Sequence, residues 1–416
     1  MAVFKLSRVD FVFTSLGLVF LLLDIVSDVY AVVTFYNEKA YVCLGFLLLF
    51  LVGSSVLVQA FSWLWYSYED FKRETTVEKC LSPRQLSLLH VLQLGIYFRH
   101  AGVFELSARS YFTKLEEAEN AGDFAVYLSH DLSMLRLIET FSESSPQLVL
   151  MLTIILQRGQ LDPETVLKAI GSALAIACSV TMYHRSLRSF LPDKKKQHVM
   201  SSVVYFLWNL LLIAPRLTAL ALFASVLPCF ILTHFICSWM VLFFFAWRSQ
   251  TSLMDSTCGE WLYRATVALI WYFDWFNVVE GKTRYRTLLY HGYILADISL
   301  LCSLYCWMKM SPEPPYFDTS VSYAIITAVS VVAVYVLGLF SKMIYYKRFH
   351  PNLTKEEKLK GGTAMDEVDL PLPSQEERDN SVQTRSMLCR VDVSPPAPDI
   401  KRCNKRMRKL AENFYS

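Results

Sequence analysis

Ionisable residues stand inside stretches that are otherwise apolar, and their spacing gathers them on helix faces. Asp24 and Asp28 are four positions apart, so on a helix they share a face. Asp131, Arg136, Glu139 and Glu143 lie in a second stretch, where the last three follow i, i+3, i+7 as one stripe. Arg216 follows Pro215, Asp297 lies within another stretch, and His184 and Arg185 stand near the end of a further one. If these stretches cross a membrane, each charge at the bilayer centre costs at least ~2.5–3.5 kcal/mol. Eight of them facing lipid would cost roughly 20–28 kcal/mol, more than a typical folding stability. They must face inward, pair, or line a hydrated path. Five acids (Asp24, Asp28, Asp131, Glu139, Glu143) against Arg136 and Arg216 leave the group net negative. Two readings stay open: structural ion pairs that hold a bundle together, and a polar track for a charged substrate. Pro146 and Pro215 mark kinks beside these charges.

Other chemistry is thinly represented. Gly281-Lys282-Thr283 lacks the upstream glycine loop of a Walker A motif. There is no HExxH, no GxSxG elbow, no potassium-filter signature and no Arg-rich voltage-sensor helix. The ten cysteines form no CxxC pair and no Cys/His spacing for zinc, and seven lie in or beside apolar stretches. Cys302 and Cys306 share a helix face and read as packing. No cofactor, no metal site and no catalytic residue is implied, so the chain does not read as an enzyme. The net charge of +3 gives no footprint for nucleic acid.

The C-terminal region carries a different kind of site. Asp366-Glu367-Val368-Asp369 matches the preferred recognition sequence of executioner caspases. An extended segment can add as a strand to a protease cleft, and an Asp before the scissile bond suits an Arg-lined pocket. Gly361-Gly362 and Leu370-Pro371-Leu372-Pro373 discourage helix on either side. Further on, residues 401–410 are rich in Lys and Arg. That segment reads either as a headgroup-binding end or as an inhibitory element docked under the membrane region.

The elements that must position these residues are membrane helices. The 416 residues are 54% hydrophobic and 19% charged, more apolar and less charged than a soluble domain. From Ser201 to Trp247 the one charged residue is Arg216, and from Phe11 to Trp65 there are four. Such stretches exceed the roughly 18–20 apolar residues that span hydrocarbon. Nine apolar segments stand out, at 11–36, 41–66, 126–156, 166–190, 201–227, 229–247, 262–279, 287–309 and 321–346, with a mixed amphipathic one at 85–105. Basic residues flank the first, second, fourth, sixth and last, which puts both termini in the cytoplasm. Both ends inside requires an even number of crossings. The short segment 262–279, with Arg264 and Asp274, is therefore read as re-entrant. The expected fold is all-α: a membrane domain of residues 1–351, with about eight spans and two partial or re-entrant helices. It divides into two pseudo-repeats near 1–198 and 199–351, and residues 352–416 form a cytosolic regulatory tail.

These residues also carry a family likeness. The blocks are Phe61-Ser62-Trp63-Leu64-Trp65, Asp131 to Glu139 with Ser145-Pro146-Gln147-Leu148, Tyr183-His184-Arg185, Tyr205 to Leu212 with Pro215-Arg216, Glu260 to Arg264, Trp275-Phe276-Asn277 with Glu280-Gly281, and Tyr345-Tyr346 with His350-Pro351. Over about residues 10–351 the chain resembles the XK-related family, and with the tail motif it resembles the caspase-activated branch. That resemblance implies an ATP-independent phospholipid scramblase of the plasma membrane that exposes phosphatidylserine on apoptotic cells. It implies a lipid path lined by Asp10, Asp24, Asp28, Asp131, Arg136, Glu139, Glu143, Arg185 and Arg216. Met182 departs from the pattern, standing where close relatives carry an acid before Tyr-His-Arg. The implied partners are phospholipids, an executioner caspase and a single-pass immunoglobulin-superfamily subunit of the basigin or neuroplastin type. Two alternatives remain from the residues themselves: a transporter or channel for a small polar solute, and a non-transporting subunit that stabilises a partner.

Overall fold

The computed structural model describes residues 8–68, 75–112, 128–159, 163–190, 199–249, 251, 253–278, 284–311 and 320–349. The caspase motif Asp366–Asp369 and the basic segment 401–410 lie outside them. The helices are α1 (Arg8–Asn37), α2 (Tyr41–Tyr68), α3 (Thr76–Lys79), α4 (Pro83–Val91), α5 (Gly95–Phe112), α6 (128–139) and α7 (Ser145–Arg158). They continue with α8 (Pro163–Phe190), α9 (Val199–Val226), α10 (Ile231–Arg248), α11 (Thr257–Phe273), α12 (Arg284–Lys309) and α13 (Val321–Ile344). No strand occurs among the described residues, so the protein is all-α, as its composition leads one to expect.

Among the described residues, seven helices are long and apolar enough to cross a membrane: α1, α2, α8, α9, α10, α12 and α13. The expected third span, 126–156, is not among them. Its charges lower its hydropathy, and a π turn at Thr140–Ser144 interrupts it between α6 and α7. The turn has a local cause. Pro146 has no N–H to give, and its ring crowds the carbonyl of the residue four positions earlier. The widened turn lets the chain pass, with the Ser145 N–H bonded to the Thr140 carbonyl, five residues back. π turns of this kind collect at functional sites. At the other end Gly159 caps α7 at φ 66°, donating to the Ile155 carbonyl at 3.0 Å.

Helix α9 is the axis of the bundle. It packs against α7, α8, α12 and α13, and 67% of its most apolar stretch is buried, against 17% in α2 and α10. A helix apolar on all sides has no preferred solvent face and settles in the interior. Around the outer rim, Arg158 ties α7 to the start of the α1–α2 turn by a 2.5 Å contact with Glu38. That hydrogen bond holds the exposed Glu38 carboxyl below the usual carboxylate range.

Two shorter elements enter the bundle and turn back. Helices α4 and α5 form a hairpin. Ser82 and Gln85 make a capping box and Pro83 opens α4. At its tip, Gln93 adopts φ 64° and accepts a hydrogen bond from Ser55, halfway along α2, at 2.8 Å. The tip thus reaches mid-span depth. Gly95 permits the return: a Cβ there would meet the His90 ring at 2.5 Å. That ring is held by the Leu86 carbonyl at 2.8 Å and Ser62 at 3.0 Å. Gly95→Ala is expected to destabilise the protein by about 1–3 kcal/mol through overpacking. A thermal melt of the purified variant in detergent checks this, and an unchanged midpoint would contradict it.

Helix α11 is the second short element and lies in the region read as re-entrant, 262–279. It stops at Phe273, inside the bundle, and Asp274–Val278 is not helical. The last carbonyls of a buried helix need donors, and here they find them. The Asp274 N–H serves Ile270 at 2.8 Å, the Tyr290 hydroxyl serves Trp271 at 2.7 Å, and Arg216 Nε serves Tyr272 at 3.0 Å. Phe273 stacks on Phe141 of the π turn, with ring centroids 6.1 Å apart.

Candidate functional site

The π turn, the α4–α5 tip and the first two helices line a partly open cavity of about 220 Å³. Asp24 and Asp28 line it from α1, Ser54, Ser55 and Gln59 from α2, and Gln93, Ile96 and Tyr97 from the hairpin. Glu139 and Glu143 complete the wall from α6 and the π turn. The i, i+4 spacing of the two aspartates does what it promised and puts both on one wall.

Cation supply in this wall is short. Arg136 contacts Glu139 at 2.9 Å and Asp24 at 3.6 Å, so one guanidinium serves two carboxylates. Asp28 accepts from Gln147 Nε2 at 3.1 Å. Ser142 donates to Ser54 at 2.8 Å, which ties the π turn to α2. With every carboxyl ionised, four acids against Arg136 give the wall a formal charge of −3. Arg136, Asp24, Asp28, Glu139 and Glu143 are therefore one site.

The remaining expected path residues lie elsewhere. Asp131 bonds Arg99 of α5 at 3.1 Å, and that guanidinium also lies 4.1 Å over the Tyr66 ring and donates to Ser62. Arg216, fully buried, is 2.5 Å from Asp297 and caps α11. Asp297 in turn meets His234 at 3.1 Å, whose other ring nitrogen reaches the Tyr272 hydroxyl at 3.0 Å. Arg185 donates to Ser202 at 2.7 Å, between α8 and α9. Asp10 sits on α1, with its side chain outside the described part. Eight of the nine expected charges thus divide, five around the shared cavity and three in separate contacts.

A family model described as XK-related protein matches residues 12–351. The chain belongs to the XK-related family. Among its relatives, a protein named XK-related protein 8 from Tetraodon nigroviridis is 41% identical over 422 residues, covering 100% of this chain and 98% of the relative. Proteins of the same name from Gasterosteus aculeatus and Pan troglodytes are 41% and 35% identical, covering 99% and 98% of this chain and 98% and 94% of their own lengths.

Several residues of this family member's site carry no strong signal in the sequence. Gln59, Gln93, Ser54 and Ser55 are uncharged and sit in or near apolar runs, so nothing marks them before the hairpin folds onto α2. Arg99 is one charge of an amphipathic segment. Lys342 of α13 is buried, 2.8 Å from His291 and 4.8 Å over the Trp208 ring. A lysine inside the last span was the available signal there.

Proposed function

We propose that this protein is an ATP-independent phospholipid scramblase of the plasma membrane that exposes phosphatidylserine after an executioner caspase cuts its tail at Asp369. The observation that carries this reading is the acidic cavity set among apolar helices. Four acidic side chains line it and one guanidinium, Arg136, pairs with two of them, next to uncharged polar groups from α2 and the α4–α5 tip. A headgroup moving along such a wall keeps polar contacts while its acyl chains stay in lipid, which removes most of the cost of dragging a charge through hydrocarbon. Lipid then flows down its own gradient. Both termini are cytoplasmic in this reading, so the tail meets a cytosolic protease. Cleavage separates the basic segment 401–410 from the membrane domain, and that segment is the inhibitory element.

The test uses cells that express the wild type, Asp369→Ala, and a chain truncated after Asp369. Caspase activation is expected to cut the wild type and expose phosphatidylserine. Asp369→Ala should stay whole and silent, and the truncated chain should expose the lipid without a caspase. Exposure by Asp369→Ala equal to wild type contradicts the proposal.

A further inference from the structure

The π turn that carries Glu143 is supported partly from its own helix and partly from the far half of the chain. The local part is a pair of back-bonds. The Thr140 hydroxyl donates to the Arg136 carbonyl and the Ser142 hydroxyl to the Ile138 carbonyl, each at 2.8 Å, contacts that help a helix bend. Pro146 disfavours a regular α turn here, but it does not dictate what replaces it. A proline inside a helix is relieved by an open kink or by a widened turn. The local bonds suit both outcomes, so the choice falls to contacts from other elements. Ser54 of α2 accepts from Ser142 at 2.8 Å. Phe273 of α11 stacks its ring on Phe141 at 6.1 Å, with 21° between the planes, and both rings are buried.

Phe273 is a firm platform because of where it stands. It is the last residue of α11, and the carbonyls just before it are held by Tyr290 of α12 and Arg216 of α9. Tyr272 packs edge-on against it at 4.9 Å. The Trp271 indole donates to the Phe276 carbonyl at 2.6 Å, which fixes the chain on the far side of the helix end. The ring is thus set by helices that line none of the cavity. Were the π turn to tighten into regular helix, the residues on its two sides would rotate against each other by about 100°, one residue of winding. Glu139 precedes the turn and Gln147 follows it. Glu139 could not then keep its place in the wall while Gln147 keeps its bond to Asp28.

Resting on the scramblase reading, we propose that Phe273 is a positioning residue of the lipid path: its ring holds Phe141, selects the π turn, and so sets Glu143 in the cavity wall. The second half of the chain lines none of the cavity and acts on it through this stack.

Two measurements on the full chain decide this. In the first, hydrogen exchange of the detergent-purified protein is followed by mass spectrometry in Phe273→Leu, in Phe141→Leu, which tests the stack from its other side, and in the double variant. The amides of residues 141–145 are expected to exchange about three- to tenfold faster in each single variant, the worth of one aromatic pair, while those of α9 keep their wild-type rates. The double variant should match the single ones, since the two rings act as a unit. Unchanged exchange in the turn, an equal rise in α9 in both single variants, or effects that add in the double variant overturn the role of the stack. In the second, caspase-cut protein in liposomes is given fluorescent phosphatidylserine. Phe273→Leu is expected to lower flux about three- to tenfold. With Glu143→Gln already present it should change flux by less than about twofold, because the carboxylate it places is gone. The same factor in both backgrounds is what a merely structural role gives, and it overturns the positioning of Glu143, as does undiminished flux. If wild type moves no lipid, the scramblase reading fails, and the exchange comparison still decides whether Phe273 holds the turn.

Discussion

Replacing Arg216 by methionine is expected to destabilise the protein by about 3–5 kcal/mol, the cost of stranding one partner of a buried ion pair. Arg216 is fully buried and 2.5 Å from Asp297. Its Nε also holds the Tyr272 carbonyl at the end of α11, and its guanidinium lies 4.9 Å over the Tyr272 ring. One substitution therefore leaves Asp297 without its strongest counter-charge and a helix end without its donor. Adding Asp297→Leu should restore most of the loss, because exchanging both partners of a buried pair for apolar groups is often close to neutral. It should not restore all of it, since the Tyr272 carbonyl stays unmet. Thermal unfolding of the detergent-purified proteins checks both steps. An unchanged midpoint in Arg216→Met would contradict the capping role.

The second large effect runs the other way. Asp28→Asn with Glu143→Gln should lower lipid flux by about 10–100-fold, the range expected when charged hydrogen-bond acceptors of about 1.5–3 kcal/mol are lost. Stability should hold or rise, because the pair repels within a wall that has one guanidinium for four acids. Flux and unfolding measured on the same preparations separate the two kinds of charge. Arg216→Met alone loses stability and flux together, while the cavity variant loses flux alone. Full flux in the cavity variant would remove the carboxylates from the path.

Much of the architecture was legible in the sequence because membrane helices announce themselves locally. The apolar stretches containing α1, α2, α8, α9, α10, α12 and α13 needed no knowledge of partners. The even-crossing argument for 262–279 came from basic residues in loops, and in that region α11 ends at Phe273. Asp24 and Asp28 were placed on one face by spacing alone. What stayed hidden depends on tertiary pairing. Arg216 and Asp297 are 81 positions apart, and nothing local tells a cap from a path residue. Pro146 marked a kink, but not that the chain would absorb it as a π turn carrying Glu143 into the cavity wall.

The most direct test of the account is flux of fluorescent phosphatidylserine in liposomes holding the purified chain, without nucleotide and without an ion gradient. Protein cut by an executioner caspase is expected to let lipid from both leaflets reach an external quencher. Uncut wild type and caspase-treated Asp369→Ala should leave the inner leaflet protected. An inner leaflet that stays protected with fully cut, folded wild type would contradict the account.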